Sequence, residues 1–156
     1  MAQHVFLVRH AEAIPRGVLE LDDHRWLTQR GRRRFRRVAR RLRRREEPDP
    51  VAAILTSPLP RAVMTAELLA RALRFRGPVE VRKELGPDGS VRPVLALLRE
   101  EPRDVALVGH EPLLGLLLYE LCGPLPSVRL RKGAIAALRL GQKGPHPAVL
   151  RYLLEP

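Results

Sequence analysis

The sequence predicts an α/β fold, a three-layer sandwich around a mostly parallel central sheet with antiparallel strands near the C-terminus. Three observations carry this expectation. Short, continuously apolar runs recur at residues 5–8, 51–55 and 105–108, as in strands buried on both faces. Stretches with helical apolar spacing alternate with them, the pattern of strand–helix–strand crossovers. The C-terminal part instead holds two strand-like runs, 134–140 and 148–154, joined by a Gly/Pro/His turn, which reads as an antiparallel pair.

Each element has its own signal. Arg9 ends the first strand, and a polar loop runs to Leu27. Thr28 is placed to cap a helix over 29–45, whose apolar stripe is Phe35, Val38, Ala39 and Leu42. Residues 46–50 form a turn before the second strand. A helix from Pro60 to about Leu73 follows, since proline is suited to a first helical turn. Residues 79–81 read as a third strand, and Gly86-Pro87-Asp88-Gly89 as a turn. Ser90 can cap a helix to Glu100. The fourth strand, 105–108, leads into an apolar helix over 111–121. Trp26 and Phe35 are expected in the core, Cys122 as packing, and His4, His24 and His146 at the surface.

A chain of 156 residues fits one domain, 1–156, and a domain this size folds without disulfides or metals. The single cysteine, Cys122, excludes a disulfide framework and a cysteine metal cluster. The N-terminal apolar run is too short for a signal peptide, and the apolar stretch 113–118 is far below the ~20 residues of a membrane span. A cytoplasmic protein that does not enter the membrane is expected.

The formal charge of +12 is local. Residues 30–45 hold eleven arginines and no acid, leaving 18 bases against 17 acids elsewhere. The helix carries seven i,i+4 Arg–Arg pairs, among them 33/37 and 40/44, each costing about 0.2–0.5 kcal/mol. Such a helix is either a solvated face or a surface for an anionic partner. Near-neutrality elsewhere and the lack of interleaved aromatics disfavour nucleic acid.

Ligands of parallel α/β sheets bind at the carboxyl ends of the strands. Those ends carry Arg9-His10, Ser57 with Arg61 in the next helix, Lys83-Glu84, and Gly109-His110. Taken singly, each is an ordinary surface or hydrogen-bonded residue. Converging on one rim, Arg9, Arg61 and protonated histidine make an anion site, helped by helix N-termini after His110 and near Pro60. Two guanidinium forks suit a phosphoryl group.

The motifs themselves resemble a known family. Leu7-Val8-Arg9-His10-Ala11-Glu12-Ala13 is similar to the Arg-His-Gly signature of the histidine phosphatase superfamily, which has a phosphoglycerate mutase-like fold. Leu27-Thr28-Gln29-Arg30-Gly31 resembles its Leu-Thr-x-x-Gly segment. Ser57-Pro58-Leu59-Pro60-Arg61-Ala62 with Thr65 resembles its Ser-Pro-x-x-Arg-Ala-x-x-Thr segment, and Val108-Gly109-His110-Glu111-Pro112 its second-histidine motif. The short chain, residues 84–89 and the C-terminal strands most resemble the small phosphohistidine phosphatases.

The resemblance implies a metal-independent and cofactor-free phosphatase. His10 would be the nucleophile, forming a phosphohistidine intermediate. Arg9, Arg61 and His110, with Ser57 beside them, would bind the phosphoryl oxygens. The implied substrate is a phosphoprotein, with inorganic phosphate as product. The sequence departs from the family pattern at Ala11, where the family has glycine, and in lacking the insert that surrounds the usual general acid. Glu84 is the positional candidate for that acid, with Glu12 and Asp88 as alternatives. A phosphorylated imidazole leaves more readily than an alcohol, so a weak acid favours phosphohistidine. The alternatives are a small-molecule phosphomonoesterase of the same superfamily and, from another class, an anionic-surface or nucleic-acid binding module built on helix 30–45.

Overall fold

In the computed structural model the described residues are 2–18 and 21–156. A six-stranded sheet is built from β1 (Gln3–Arg9), β2 (Ala53–Thr56), β3 (Val79–Val81), β4 (Val105–Gly109), β5 (Ile135–Leu140) and β6 (Ala148–Leu154). Their order is β3-β2-β4-β1-β5-β6. The first four strands run parallel, while β5 is antiparallel to β1 and β6 to β5. The helices are α1 (Gln29–Glu46), α2 (Pro60–Leu73), α3 (Val91–Glu100) and α4 (Leu113–Cys122). None of the described helices is long and apolar enough to cross a membrane.

The continuous apolar runs follow from burial on both sheet faces. Phe6 and Val8 of β1 and Ala106 and Val108 of β4 pack with α1 and α2. Val5, Leu7, Val105 and Leu107 pack on the opposite face with α3 and α4. Side chains alternate across a strand, so a strand covered twice must be apolar at every position. The layers thus follow directly from sequence pattern.

Three details differ from the sequence expectation. The second strand begins at Ala53, where its ladder with Val105 starts, although Val51 is still buried. The last helix begins at Leu113 rather than at residue 111, because the Glu111 carboxylate accepts from the Gly115 N–H at 2.8 Å and acts on the helix end from outside. Trp26 is 48% exposed and not in the core. Residues 25–27 are extended, and the buried positions there are Arg25 and Leu27. Period-two alternation turns Trp26 outward.

Helix α1 is held by its apolar stripe and by its start. Thr28 Oγ1 accepts from the Gly31 N–H at 2.9 Å. Gly31 itself, with Phe35, Val38, Ala39 and Leu42, is buried. A Cβ at Gly31 would stand 2.3 Å from the carbonyl oxygen of Glu12. The helix therefore lies directly on the loop that leaves β1, which explains the glycine of the Leu27–Gly31 motif.

Gly31→Ala tests that close approach. Alanine raises helix propensity by about 1 kcal/mol, but the overpacking costs about 1–3 kcal/mol. The expected result in urea denaturation is a net loss of stability together with a fall in turnover, because Glu12 lies just beyond His10. A variant as stable as the parent would show that the contact relaxes freely.

Candidate active site

The carboxyl ends of β1, β2 and β4 meet at one point, and backbone hydrogen bonds tie them together. His10 N–H donates to Gly109 O at 3.0 Å, and Ser57 N–H to Val108 O at 2.9 Å. The turn before β5 closes the rim, with Gly133 N–H shared between Arg9 O and His10 O at 3.1 and 3.0 Å. These bonds bring His10, His110, Ser57, Arg9 and Arg61 together, as the sequence predicts. The two imidazole rings lie 5.2 Å apart at an interplanar angle of 54°.

His10 is nearly buried. Its Nδ1 donates to the Ala11 carbonyl at 2.8 Å. A carbonyl only accepts, so Nδ1 carries the proton and Nε2 presents a lone pair. The Ala11 peptide is fixed from its other side, where its N–H donates to Thr65 Oγ1 at 3.0 Å. Thr65 in turn donates to Arg61 O at 2.7 Å. Ala11 has no positive φ, so nothing in its backbone requires the family's glycine.

His110 Nε2 and Ser57 Oγ share a hydrogen bond of 2.7 Å. Ser57 Oγ also accepts from the Leu59 N–H at 3.2 Å. Ser57 is fully buried, so its hydroxyl is committed to holding His110 and the start of α2.

Burial sets the charge state. It is the largest cause pushing His10 down to about 3, with neighbouring His110, Arg61 and Arg9 adding to it against the Ala11 hydrogen bond. Burial likewise pushes His110 down to about 4, with Arg61, Arg9 and Arg25 adding to it. Both rings are therefore neutral at pH 7. The sequence reading counted a protonated histidine among the cations, and the structure corrects this. The positive charge comes from arginines alone, because guanidinium stays ionised in proteins.

A third arginine joins them that sequence reasoning missed. Arg25 is 5% exposed, with Nη1 donating to Ile14 O at 3.0 Å and Nε 2.8 Å from Asp22 Oδ1. Asp22 also accepts from Arg61 through its carbonyl at 3.3 Å. Arg9 and Arg61 are held below the ordinary arginine value chiefly by burial, opposed at Arg9 by Glu111. The Nε of Arg9 and of Arg61 are buried and find no hydrogen-bond partner among the described residues. Desolvated donors of this kind are costly unless an anion meets them. A neutral imidazole nitrogen beside two such cations, Arg9 and Arg61, suits a tetrahedral oxyanion.

The candidate acids separate clearly. Glu12 is engaged by Arg30 at 2.7 and 3.1 Å and by Thr28 at 2.8 Å, which hold it below the usual carboxylate range. It is ionised at pH 7 and poorly suited to donate a proton. Asp88 is exposed. Glu84 lies on the turn packed beneath the end of β4, where Leu85 O approaches Gly109. Among the described residues it makes no hydrogen bond or ion pair to Arg9, His10, Arg61 or His110. Glu111, beside Arg9, is pushed up by burial. Among the described residues no group of His, Cys, Asp and Glu is arranged to hold a metal ion.

An NMR titration of the histidine ring carbons tests the charge state. His10 and His110 should give midpoints near 3 and 4. A midpoint near 6.5 for either ring would show a hydrated site and remove the argument for a neutral pair.

Comparison with known proteins agrees with this geometry. The sequence model of the histidine phosphatase superfamily (branch 1) matches residues 5–86. Phosphohistidine phosphatase SixA of Escherichia coli is 32% identical over 144 residues, covering 90% of this chain and 87% of that protein. A structure of the protein histidine phosphatase SixA complexed with tungstate superimposes with a TM-score of 0.85 and 30% identity, over 99% of this chain and 97% of that one. A mycobacterial glucosyl-3-phosphoglycerate phosphatase shares the fold, at a TM-score of 0.68 and 18% identity over 97% and 98% of the two chains. With its motifs, sheet order and rim accounted for in this way, the chain belongs to the histidine phosphatase superfamily.

Proposed function

We propose that this chain is a phosphohistidine phosphatase acting on phosphorylated protein through a covalent intermediate at His10. The observation that carries the reading is the His10 imidazole, neutral, with Nδ1 bound to Ala11 O and Nε2 free among arginines. Nε2 attacks phosphorus as the P–N bond to the substrate imidazole breaks. Water then attacks phosphorus, the P–N bond to His10 breaks, and inorganic phosphate leaves. Arg9, Arg61 and Arg25 stabilise the equatorial oxygens, and no charge need be reorganised at the moment of transfer. The incoming phosphoryl charge raises the proton affinity of His110, which then donates a hydrogen bond to one oxygen. Ser57 works by orienting His110.

Two observations support a phosphohistidine protein over an alcohol phosphate. Glu12 is ion-paired, and Glu84, whose Oε2 is buried without a partner, makes no hydrogen bond to Arg9, His10, Arg61 or His110 among the described residues, so neither is held by a hydrogen bond in place to protonate an alkoxide. An imidazole leaving group needs less help. Second, Arg9 lines an open groove of about 770 Å³ with Leu118, Tyr119, Leu125, Val128 and Arg129, which offers a polypeptide room beside the reacting group. The E. coli relative is named for the same activity, and tungstate, the tetrahedral anion of the similar structure, is the expected inhibitor here.

Brief reaction with labelled phosphohistidine protein should leave an acid-labile, base-stable phosphate on the enzyme, and His10→Ala should abolish it. Label persisting in His10→Ala would sink the assignment. Arg61→Ala should cost about 2.7–4 kcal/mol of transition-state stabilisation, as loss of a preorganised donor does. Glu84→Gln tests whether the reaction needs an acid at that position. It should leave phosphohistidine turnover unchanged, and a large loss there would make Glu84 the acid.

A further inference from the structure

Arg9 and Arg131 also line a second cavity, of about 400 Å³, between the loop after His10, the start of α1 and the turn before β5. Its basic residues are Arg9, Arg34, Arg131 and Lys132, and among the described residues its one acidic side chain is Glu12. Glu12 is already bound to Arg30 and Thr28, so it does not neutralise the others. Phe35 supplies an apolar wall. The turn is anchored rigidly to the nucleophile, since Gly133 N–H bonds both Arg9 O and His10 O. Lys132 is held below the ordinary lysine value by partial burial and by the fields of Arg9 and Arg25, with only Glu12 opposing. Cations crowded in this way attract an anion, and Arg9 is common to this cavity and to the group around His10.

We propose that this cavity is a second anion subsite, in which Lys132 and Arg34 bind an acidic side chain that the protein substrate displays beside its phosphohistidine. The inference rests on the phosphohistidine reading and adds a determinant of substrate choice to it. Lys132 and Arg34 are positioning residues, because neither touches the transferred group. A small phosphoramidate, with no second anion, cannot use the subsite. An acidic protein surface can, and the exposed basic face of α1 beyond Arg34 then steers it without fixing it.

Binding can be read apart from catalysis. Two fluorescent peptides would carry a phosphonate mimic of phosphohistidine, one flanked by aspartates and one by asparagines. Their affinities for the whole protein would be measured by anisotropy, alongside turnover of phosphoramidate. Lys132→Met with Arg34→Gln should weaken the aspartate peptide roughly tenfold, a factor that corresponds to about 1.4 kcal/mol. Binding of the asparagine peptide and phosphoramidate turnover should stay unchanged, and Lys132→Arg should retain most of the affinity. Equal weakening of both peptides, or of neither, overturns the subsite. So does an equal loss in Arg33→Gln/Arg37→Gln/Arg44→Gln, exposed arginines outside the cavity, because the effect would then be diffuse charge. If the parent protein fails to hydrolyse phosphoramidate, the proposed function falls, while the anisotropy comparison still decides the subsite.

Discussion

One hydrogen bond, from His10 Nδ1 to Ala11 O, organises this molecule. It fixes the tautomer, and so decides which ring nitrogen faces the rim. A ring held by its own neighbour's carbonyl is only as well placed as that peptide. The Ala11 peptide is accordingly fixed on several sides. Thr65 of α2 holds its N–H. The next carbonyl, Glu12 O, accepts from Thr28 N–H at 3.1 Å, with Gly31 packed against it. The turn before β5 ties the backbone of Arg9 and His10 from below. The two helices of one layer and the first antiparallel strand thus serve a single peptide.

The electrostatic design opposes stability. His10 and His110 take up protons only at about 3 and 4 when folded, against an ordinary value of 6.5. Between those values the unfolded chain binds more protons, so folding stability rises with pH through that window. The fold thus gives up acid stability to keep His10 and His110 neutral. Three desolvated arginines cost more, and Asp22 and Glu111 offset them only in part. Buried guanidinium donors without partners gain most from meeting an oxyanion.

Much of this was legible in the sequence because it depends on period and on strand ends. Apolar runs gave the doubly covered strands, and the carboxyl-end rule gathered His10, Arg61 and His110. The described residues between β1 and α1 were not legible in the same way, since their placement comes from hydrogen bonds rather than from periodicity. Arg25 is the consequence. Its burial depends on an alternation of three residues, Arg25 in, Trp26 out, Leu27 in, and that signal is too short to read without knowing that Ala13 bridges to Leu27. Protonation was illegible for another reason. The protonation of His110 is set by burial and by Arg61, Arg9 and Arg25, residues far apart in the chain, a sum that no local motif contains.

The arginine helix follows from the same constraint. Its first turn must approach Glu12 closely, which demands glycine, and its inner stripe must be apolar. The outer positions are then free of packing, and like-charge repulsion along them is small for each pair. Tertiary anchoring supplies what local propensity lacks. Arg30 closes on Glu12, Arg43 approaches Glu47 at 3.9 Å, and Arg45 stacks 3.7 Å over the Tyr152 ring. Of the eleven arginines of residues 30–45, only Arg30 and Arg43 come within ion-pair reach of a carboxylate among the described residues, so the charge stays uncompensated along most of the helix. Its first turn lies against the loop that leaves β1, and there the field of the helix adds to that of Arg9, Arg25 and Arg61.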